Sequence, residues 1–203
     1  MRPSISVVLP VFNEEQILPV FYTWLSGALQ ALGETSELVF VNDESRDDSL
    51  ALLKSLHAAD AAVKVVSQSR NFGHQTAITW GLDLASGEAV VIMDTDLQDP
   101  REIITRLVAK WREGLRCCLR GAREPPGENL FKRGTAAFFY RLLRMLAHVD
   151  IPLDTGDFRL LSRRAVDALL SNRERCRFVR GLISWIGVPA DWRLFLAGGT
   201  RRW

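Results

Sequence analysis

The sequence is poor in the features that mark several large classes of protein. Its 203 residues include only three cysteines, and an odd number without metal-ligand spacing argues against a disulfide framework or a zinc site. No stretch reaches the roughly 18 uninterrupted apolar residues of a membrane-spanning helix. The short apolar run that follows Met1 is not typical of a secretory leader. We therefore expect a protein in a reduced, cytosolic-facing setting that does not span a membrane by itself.

A glycine-rich phosphate loop is also missing. Dinucleotide-binding folds need glycines directly after the first strand, because the backbone amides approach the pyrophosphate there. Glu14 and Glu15 occupy this position, and their charges would repel a phosphate. No Walker sequence replaces the loop. A diphosphate bound at this place would need a cation to cancel its charge.

Charge is divided unequally along the chain. Residues 1–115 carry 16 acidic and 9 basic side chains, and residues 116–203 carry 8 acidic and 17 basic ones, so net charges of −7 and +9 give the total of +2. The hydrophobic share of 47% and the charged share of 25% are those of an ordinary globular domain and exclude disorder. We expect the first half to hold a cation and the second half to meet an anion.

Short apolar runs alternate with helical patterns in the first half. Strands are predicted at 5–9, 38–41, 63–66 and 89–93, and helices at 15–32, 47–59, 75–85 and 100–112. Asp99 and Pro100 suit the start of the last helix, and Ser45 with Asp48 resembles a capping box. This alternation predicts an α/β fold with a parallel sheet that helices cover on both faces.

Polar residues follow all four predicted strands, and three of the four loops carry carboxylates. Ligands of open parallel sheets lie beyond the carboxyl ends of the strands. The four loops are therefore expected to form one site at one edge of the sheet.

Asp94, Thr95 and Asp96 come directly after the fourth strand. An isolated Asp-x-Asp is more often a helix cap than a metal site, but Asp99 already takes the cap position. Magnesium prefers one or two carboxylates together with phosphates and waters. Two aspartates with Gln98 beyond them meet that demand, so a metal site is the favoured interpretation.

Asp43, Arg70 and Asn71 each allow two interpretations from the sequence. Asp43 either accepts hydrogen bonds from a ribose or a base, or closes a turn. Arg70 and Asn71 either contact a phosphate or ribose, or complete their loop. His74 begins a helix and is interpreted as structural.

Taken together, the loops resemble those of family-two glycosyltransferases with the GT-A fold, and most closely the branch that acts on polyprenyl phosphates, which includes dolichol-phosphate mannose synthases and undecaprenyl-phosphate sugar transferases. The resemblance covers about residues 4 to 187. It rests on these blocks: Val8 to Glu15, Val41 to Asp47, Ser69 to Gly73, Met93 to Pro100, Lys132-Arg133, Phe139-Tyr140-Arg141, Gly156 to Leu160 and Arg177 to Gly181.

The resemblance implies a Rossmann-like, mostly parallel sheet flanked by helices, and roles for individual residues. Asp157 would orient the sugar and the attacking oxygen, with Arg159 beside it; a loop salt bridge with Arg159 is the alternative. Asp96 would be the second catalytic residue. The cofactor would be Mg²⁺ or Mn²⁺, held by Asp94, Asp96 and Gln98. The nucleotide-sugar donor would be bound by Pro10, Phe12, Glu14, Asp43, Arg70, Asp94, Thr95 and Arg180, and the acceptor phosphate by Arg123, Lys132 and Arg133.

The resemblance also implies an organisation. Residues 1–187 would be the catalytic domain, with 1–115 as the nucleotide-sugar half and 116–187 as the half that faces acceptor and membrane. Residues 188–203 form a divergent tail where many bacterial members continue into two membrane-spanning helices, which leaves a natural soluble variant, a truncated form or a broken gene as explanations. Glu44 is a further departure, since members commonly have glycine there.

Residues 129–148 form a basic amphipathic pattern. The apolar side chains fall on one face, and Lys132, Arg133 and Arg144 lie on or near the other. Such a helix either lies in a membrane interface or packs on the core with a solvated basic face, and the resemblance favours the membrane. No nucleic-acid-binding module is present, and a homo-oligomer is left open.

The predicted function is that of an inverting, metal-dependent glycosyltransferase. It would move a sugar from a nucleotide donor, with UDP preferred, to a polyprenyl phosphate. The expected location is the cytoplasmic face of the bacterial inner membrane, as a peripheral protein. Two alternatives remain: a transferase of the same fold with a soluble or cell-wall acceptor, and a non-catalytic module that binds nucleotide sugars.

Overall fold

A computed structural model describes residues 3–96, 101–115, 117–121, 155–172, 179–185 and 190–191 of the chain. The first half alternates strands and helices, as the apolar pattern predicts. Its elements are β1 (Ile5–Val11), α1 (Leu18–Leu32), β2 (Ser36–Asn42), α2 (Ser49–Ala59), β3 (Val63–Ser67), α3 (His74–Leu84), β4 (Ala89–Ile92) and α4 (Arg101–Arg112). The second half contributes β5 (Cys117–Gly121), β6 (Thr155–Ser162), α5 (Arg163–Ser171), α6 (Val179–Trp185) and β7 (Ala190–Asp191).

Within these residues the strands form one sheet in the order β3-β2-β1-β4-β6-β5-β7. Strands β1 to β4 are parallel to one another, whereas β6 runs antiparallel to both of its neighbours, β4 and β5. Strands β1 and β4 are buried along their whole length, as central parallel strands must be when both faces are covered. The predicted mostly parallel sheet with flanking helices is confirmed.

Two apolar cores lie on opposite faces of the sheet. Helices α1, α2 and α4 cover one face with side chains such as Phe21, Leu53 and Leu107. Helices α3, α5 and α6 cover the other with Ile78, Val166 and Leu182 among them. Helix α3 lies flat on the sheet at a glycine, because a Cβ at Gly81 would stand 2.2 Å from Cγ1 of Val8. A larger residue would fit there only if Val8 or the helix shifted.

Several local predictions need correction. Helix α1 begins at Leu18 and not at Glu15, because a turn precedes it in which the N–H groups of Ile17 and Leu18 donate to the carbonyl of Glu14. The capping box of Ser45 and Asp48 does not form, since α2 begins at Ser49 and the Asp48 side chain makes no cap bond. Ser45 instead accepts the N–H of Asn13, 2.9 Å away.

The second half holds strands that the sequence pattern did not predict. Strand β6 pairs with β4 through Ala89–Ser162 and Ile92–Arg159, so both halves of the chain share one sheet. The predicted basic helix at 129–148 and the helix-start residues Asp99 and Pro100 lie outside the described residues. None of the helices in the described ranges combines the length and apolar character that a membrane crossing requires.

Candidate functional site

An open cleft of about 470 Å³ lies at the carboxyl edge of the parallel strands. This is the edge at which the polar loops were expected to meet, because parallel strands all end on the same side. We call residues 12–17 after β1 the first loop, 43–48 after β2 the second loop and 68–73 after β3 the third loop. The cleft is lined by Pro10, Val11, Phe12, Glu14, Asp43, Asn71, Gly73, His74, Ala77, Asp94, Thr95 and Asp96.

The second loop fixes the first loop by side-chain hydrogen bonds to its backbone. Besides the bond from Asn13 to Ser45, the N–H of Glu15 donates to Oδ2 of Asp47 over 3.0 Å. In return Asn13 Oδ1 accepts the N–H of Arg46 over 2.8 Å. Asn13 itself takes a left-handed conformation with φ of 57°, which asparagine tolerates better than most residues. The loop that carries Phe12 and Glu14 is therefore held in one shape.

The second loop also fixes the third loop, through Asp43. Its Oδ1 accepts the N–H of Phe72 over 2.7 Å and its Oδ2 accepts that of Gly73 over 2.9 Å. Asp43 is only 4% exposed. Asp43 therefore closes the third loop, as one of its two interpretations predicts, and it also lines the cleft. Its contact with a ribose or a base stays a prediction.

Glu44 occupies a position that suits glycine. Its φ of 59° lies in the left-handed region, which residues with a Cβ rarely adopt. Its Oε2 accepts the N–H of Asn71 over 2.9 Å. The side chain that glycine lacks thus adds a second tie to the third loop, beside the one from Asp43.

Arg70 lies against its own loop. Its guanidinium carbon stands 4.5 Å from the centre of the Phe72 ring, at cation–π distance. Arg70 does not line the cleft, while its neighbour Asn71 does. The structure therefore places the predicted nucleotide ligand Arg70 beside the cleft and not in its wall.

Glu14, Asp94 and Asp96 all lie in the wall of the cleft. Burial raises the pKa of Glu14 above the ordinary value of 4.5, and the negative charges of Asp96, Asp47 and Asp94 raise it further. His74 Nε2 lies 3.5 Å from Oδ1 of Asp94. Neighbouring negative charges disfavour the ionisation of Glu14, so a cation at this rim would relieve the repulsion.

The carboxylate oxygens at the rim are suitable ligands for the predicted cation. Asp94 and Asp96 both line the cleft, and hard oxygen donors are what magnesium and manganese prefer. Across the described ranges, no three His, Cys, Asp or Glu side chains converge on one metal position. Two carboxylates nevertheless suffice where substrate phosphates complete the coordination. Gln98, the third predicted ligand, lies outside the described residues.

The backbone of β6 brings a residue of the second half to the same edge. Because β6 is antiparallel to β4 with Ile92 opposite Arg159, the first residues of β6, including Asp157, lie where β4 ends and the chain leads into Asp94. Arg159 is only 2% exposed. The side chains of Asp157 and Arg180, and all of Arg123, Lys132 and Arg133, lie outside the described part of the chain.

Five residues of the cleft wall are not in the predicted site set: Val11, Asn71, Gly73, His74 and Ala77. For Asn71 the sequence offers a phosphate or ribose contact only as one of two interpretations, and for His74 it favours a structural role. The signal was available, since the third loop and the start of α3 follow a strand that ends at the same edge. Thr95, a predicted donor ligand, also lines the cleft but is only 3% exposed.

Comparison with known proteins adds a family and a fold. A sequence profile described as Glycosyl transferase family 2 matches residues 6–170. The uncharacterized glycosyltransferase YkcC of Bacillus subtilis is 46% identical over 182 residues, which cover 90% of this chain and 56% of that protein. The bactoprenol glucosyl transferase of Shigella phage SfV is 40% identical over 188 residues, which cover 93% of this chain and 61% of that protein. The chain thus spans less than two thirds of these relatives.

Among solved structures, the chain is similar to the mannosyltransferase PcManGT of Pyrobaculum calidifontis, which was solved with GDP-Man and Mn²⁺. The TM-score is 0.62 at 20% identity, over 94% of this chain and 54% of that one. At this identity the likeness concerns the fold alone. This likeness agrees with the GT-A fold that the sequence resemblance implies.

Proposed function

The chain belongs to glycosyl transferase family 2, and on this premise we propose that it is an inverting glycosyltransferase. It moves a sugar from a nucleotide-sugar donor, with UDP as the preferred nucleotide, to a polyprenyl phosphate. The proposed place of action is the cytoplasmic face of the bacterial inner membrane, where the protein would be peripheral. The bactoprenol glucosyl transferases among its relatives support the lipid acceptor.

The observation that carries the proposal is the cleft whose rim gathers Glu14, Asp94 and Asp96. Burial raises the pKa of Glu14, and the negative charges of Asp96, Asp47 and Asp94 raise it further. A neutral ligand would not relieve that repulsion. A nucleoside diphosphate accompanied by a divalent cation would make such a rim favourable. The neighbour solved with GDP-Man and Mn²⁺ is consistent with this pairing.

In the proposed binding mode the base and ribose lie along Pro10, Phe12 and Asp43. Phe12 is 45% exposed at the cleft, and an exposed aromatic face suits stacking on a planar base. The first and third loops are held by the second loop before any ligand arrives. A site that is already rigid has less conformational entropy to lose on binding.

The diphosphate would lie where β4 ends and β6 begins. Asp94 and Asp96, with Gln98, would hold Mg²⁺ or Mn²⁺, which when bound supplies charge neutralisation to the departing diphosphate. Arg180 would contact the same diphosphate. Arg123, Lys132 and Arg133 would contact the acceptor phosphate, so that the two anions are held apart and oriented.

The reaction is a single displacement. An oxygen of the acceptor phosphate attacks the anomeric carbon from the side opposite the diphosphate, the bond from that carbon to the diphosphate oxygen breaks, and the electron pair leaves with the diphosphate. Configuration inverts. A phosphate oxygen is already ionised near neutral pH, so no strong general base is needed. Asp157 therefore orients the reacting groups, and Asp96 acts on the leaving side.

The test is an assay with Mn²⁺, undecaprenyl phosphate and a panel of UDP- and GDP-sugars, read by mass spectrometry of the lipid fraction. We expect a lipid-linked sugar with one donor and none when undecaprenol replaces its phosphate. Donor turnover with a soluble acceptor instead would replace the lipid proposal. UDP binding without turnover of any donor would overturn the enzyme proposal in favour of a binding module.

A further inference from the structure

Three consecutive residues at the start of α3, the last of the third loop and the first two of the helix, contact three separate parts of the molecule. Gly73 donates its N–H to Asp43 in the second loop, 2.9 Å away. His74 lies 3.5 Å from Asp94 after β4. Gln75 Oε1 accepts the N–H of Val179, the first residue of α6, over 3.3 Å. These three residues thus connect the cleft to a helix more than one hundred residues further along the chain.

The contact of Gln75 satisfies a donor that α6 cannot satisfy itself. The first N–H groups of a helix have no partner within that helix. Val179 is 2% exposed, so water has little access around its side chain. An unpaired buried N–H is costly, and the amide oxygen of Gln75 supplies its acceptor.

Gln75 also gives α6 a defined position. Val179, Leu182 and Ile183 pack in the same core as Ala77 and Ile78 of α3, but apolar packing is not directional. A hydrogen bond is directional, with a preferred angle and distance. The bond to Gln75 therefore sets where α6 begins relative to the start of α3 and hence to the cleft.

We propose that Gln75 is a positioning residue that fixes the start of α6, and with it Arg180, against the diphosphate end of the cleft. The proposal rests on the proposed function, in which Arg180, the residue after Val179, contacts the diphosphate. Gln75 itself touches no substrate in this account. It acts through the backbone of α6.

The experiment compares two variants of Gln75 with a control in the same helix. Gln75→Leu keeps the size but removes the acceptor, and Gln75→Glu keeps an acceptor oxygen. Thr79→Ala is the control, because its hydroxyl donates to the carbonyl of Gln75 within α3 and not to α6. Urea unfolding of the full chain verifies that all three fold.

Amide hydrogen exchange of the segment that starts at Val179 is the first measurement. In Gln75→Leu we expect exchange to be about five-fold faster, as the loss of one hydrogen bond allows. Gln75→Glu should restore the protection, and Thr79→Ala should leave it unchanged. Unaltered exchange in Gln75→Leu would overturn the proposal.

Affinity for UDP and for UMP, each with Mn²⁺, is the second measurement. Because Gln75 acts on the diphosphate end, Gln75→Leu should lower the ratio of UDP to UMP affinity by about five-fold, as expected when a bond to a charged group is weakened. An equal loss for both nucleotides would mean a general structural role and would overturn the proposal. If the unaltered protein bound neither nucleotide, the proposed function would fail, while the exchange result would still decide the contact between Gln75 and α6.

Discussion

Two acidic residues at opposite edges of the same sheet have opposite surroundings. Glu37 lies at the amino edge of the parallel strands and is only 5% exposed. It accepts hydrogen bonds from Ser6 Oγ over 2.5 Å and from Ser86 N over 2.6 Å, and it pairs with Lys64. Burial by itself would raise its pKa, but these bonds outweigh burial and lower the pKa below the ordinary 4.5.

Glu14 lies at the carboxyl edge, and its neighbours are other acids. Burial raises its pKa, and Asp96, Asp47 and Asp94 raise it further. At the amino edge, hydrogen bonds and an ion pair stabilise the buried charge of Glu37. At the carboxyl edge, the three charges that shift the pKa of Glu14 are all negative and add to the cost of its burial. The comparison indicates that Glu37 stabilises the fold, whereas the role of Glu14 toward a ligand stays a proposal. Perturbed carboxylates of this kind are typical of functional sites.

The largest expected effect is on the carboxyl edge. Asp96→Ala should abolish metal-dependent donor binding and lower transferase activity by about a hundred-fold or more, because the developing charge on the diphosphate loses its stabilisation. Calorimetry with UDP and Mn²⁺ measures the binding, and the transferase assay measures the activity. Asp167→Ala is the matched control, since Asp167 is an exposed aspartate of α5. UDP binding that still depends on Mn²⁺ in Asp96→Ala would refute the metal assignment.

The second prediction concerns the amino edge. Glu37→Ala should lower the free energy of unfolding by about 3 kcal/mol, because the network around the buried carboxylate is left without its acceptor. Donor binding should not change. Since the folded pKa of Glu37 is lowered, its contribution is present above the ordinary pKa of 4.5 and is lost as pH falls through the folded pKa. Urea unfolding at pH 7 and pH 3 measures the loss of stability and its pH dependence. Equal losses at the two pH values would contradict the account.

The third prediction is that Glu14, at the carboxyl edge, affects the pH dependence of stability in the opposite direction to Glu37. Because the folded pKa of Glu14 is raised, the folded state holds its proton more tightly, and stability falls as pH rises from 4.5 through the folded pKa. Glu14→Gln should therefore stabilise the metal-free protein at pH 7, by less than about 1 kcal/mol because solvent screens the charges. Thermal unfolding with and without UDP and Mn²⁺ measures this. A destabilised variant without ligand would place Glu14 with Glu37 as a structural acid.

The smallest effect is expected at Glu44, where strain and a hydrogen bond oppose each other. Glu44→Gly removes the left-handed strain and the bond to Asn71 together, each worth about 1 kcal/mol, so stability should change by less than about 0.5 kcal/mol. Glu44→Ala keeps the strain and loses the bond, and should be destabilised by about 1 kcal/mol. Urea midpoints separate the two. Equal losses in both variants would show that the strain is negligible.

Much of the first half was predictable from local patterns. The apolar runs that become β1 to β4 and the polar residues after them need only the chain itself, because a buried parallel strand is apolar along its length. The sheet edge that gathers Glu14, Asp43 and Asp94 follows from that alternation. The helix start at Ser49 did not follow, since Ser45 bonds to Asn13, which lies 32 residues away.

The strands of the second half were harder to predict, because they are not uniformly apolar. Strand β6 contains Arg159 among apolar residues, and a charged residue in such a run weakens the signal of a central strand. Its burial depends on β4 and β5 at either side. The roles predicted for Asp157, Arg123 and the other residues of this half stay predictions.

The sequence by itself determined the α/β class, the edge at which a ligand would lie and the acidic residues that face it, because strand periodicity and polar loops are local properties. Only the tertiary structure decided which groups surround each acid. Glu37 and Glu14 are alike in the sequence. Burial acts to raise the pKa of both carboxyls. Lys64, Ser6 and Ser86 outweigh it at Glu37, whereas Asp96, Asp47 and Asp94 add to it at Glu14. Both sets of neighbours are assembled only when distant parts of the chain come together.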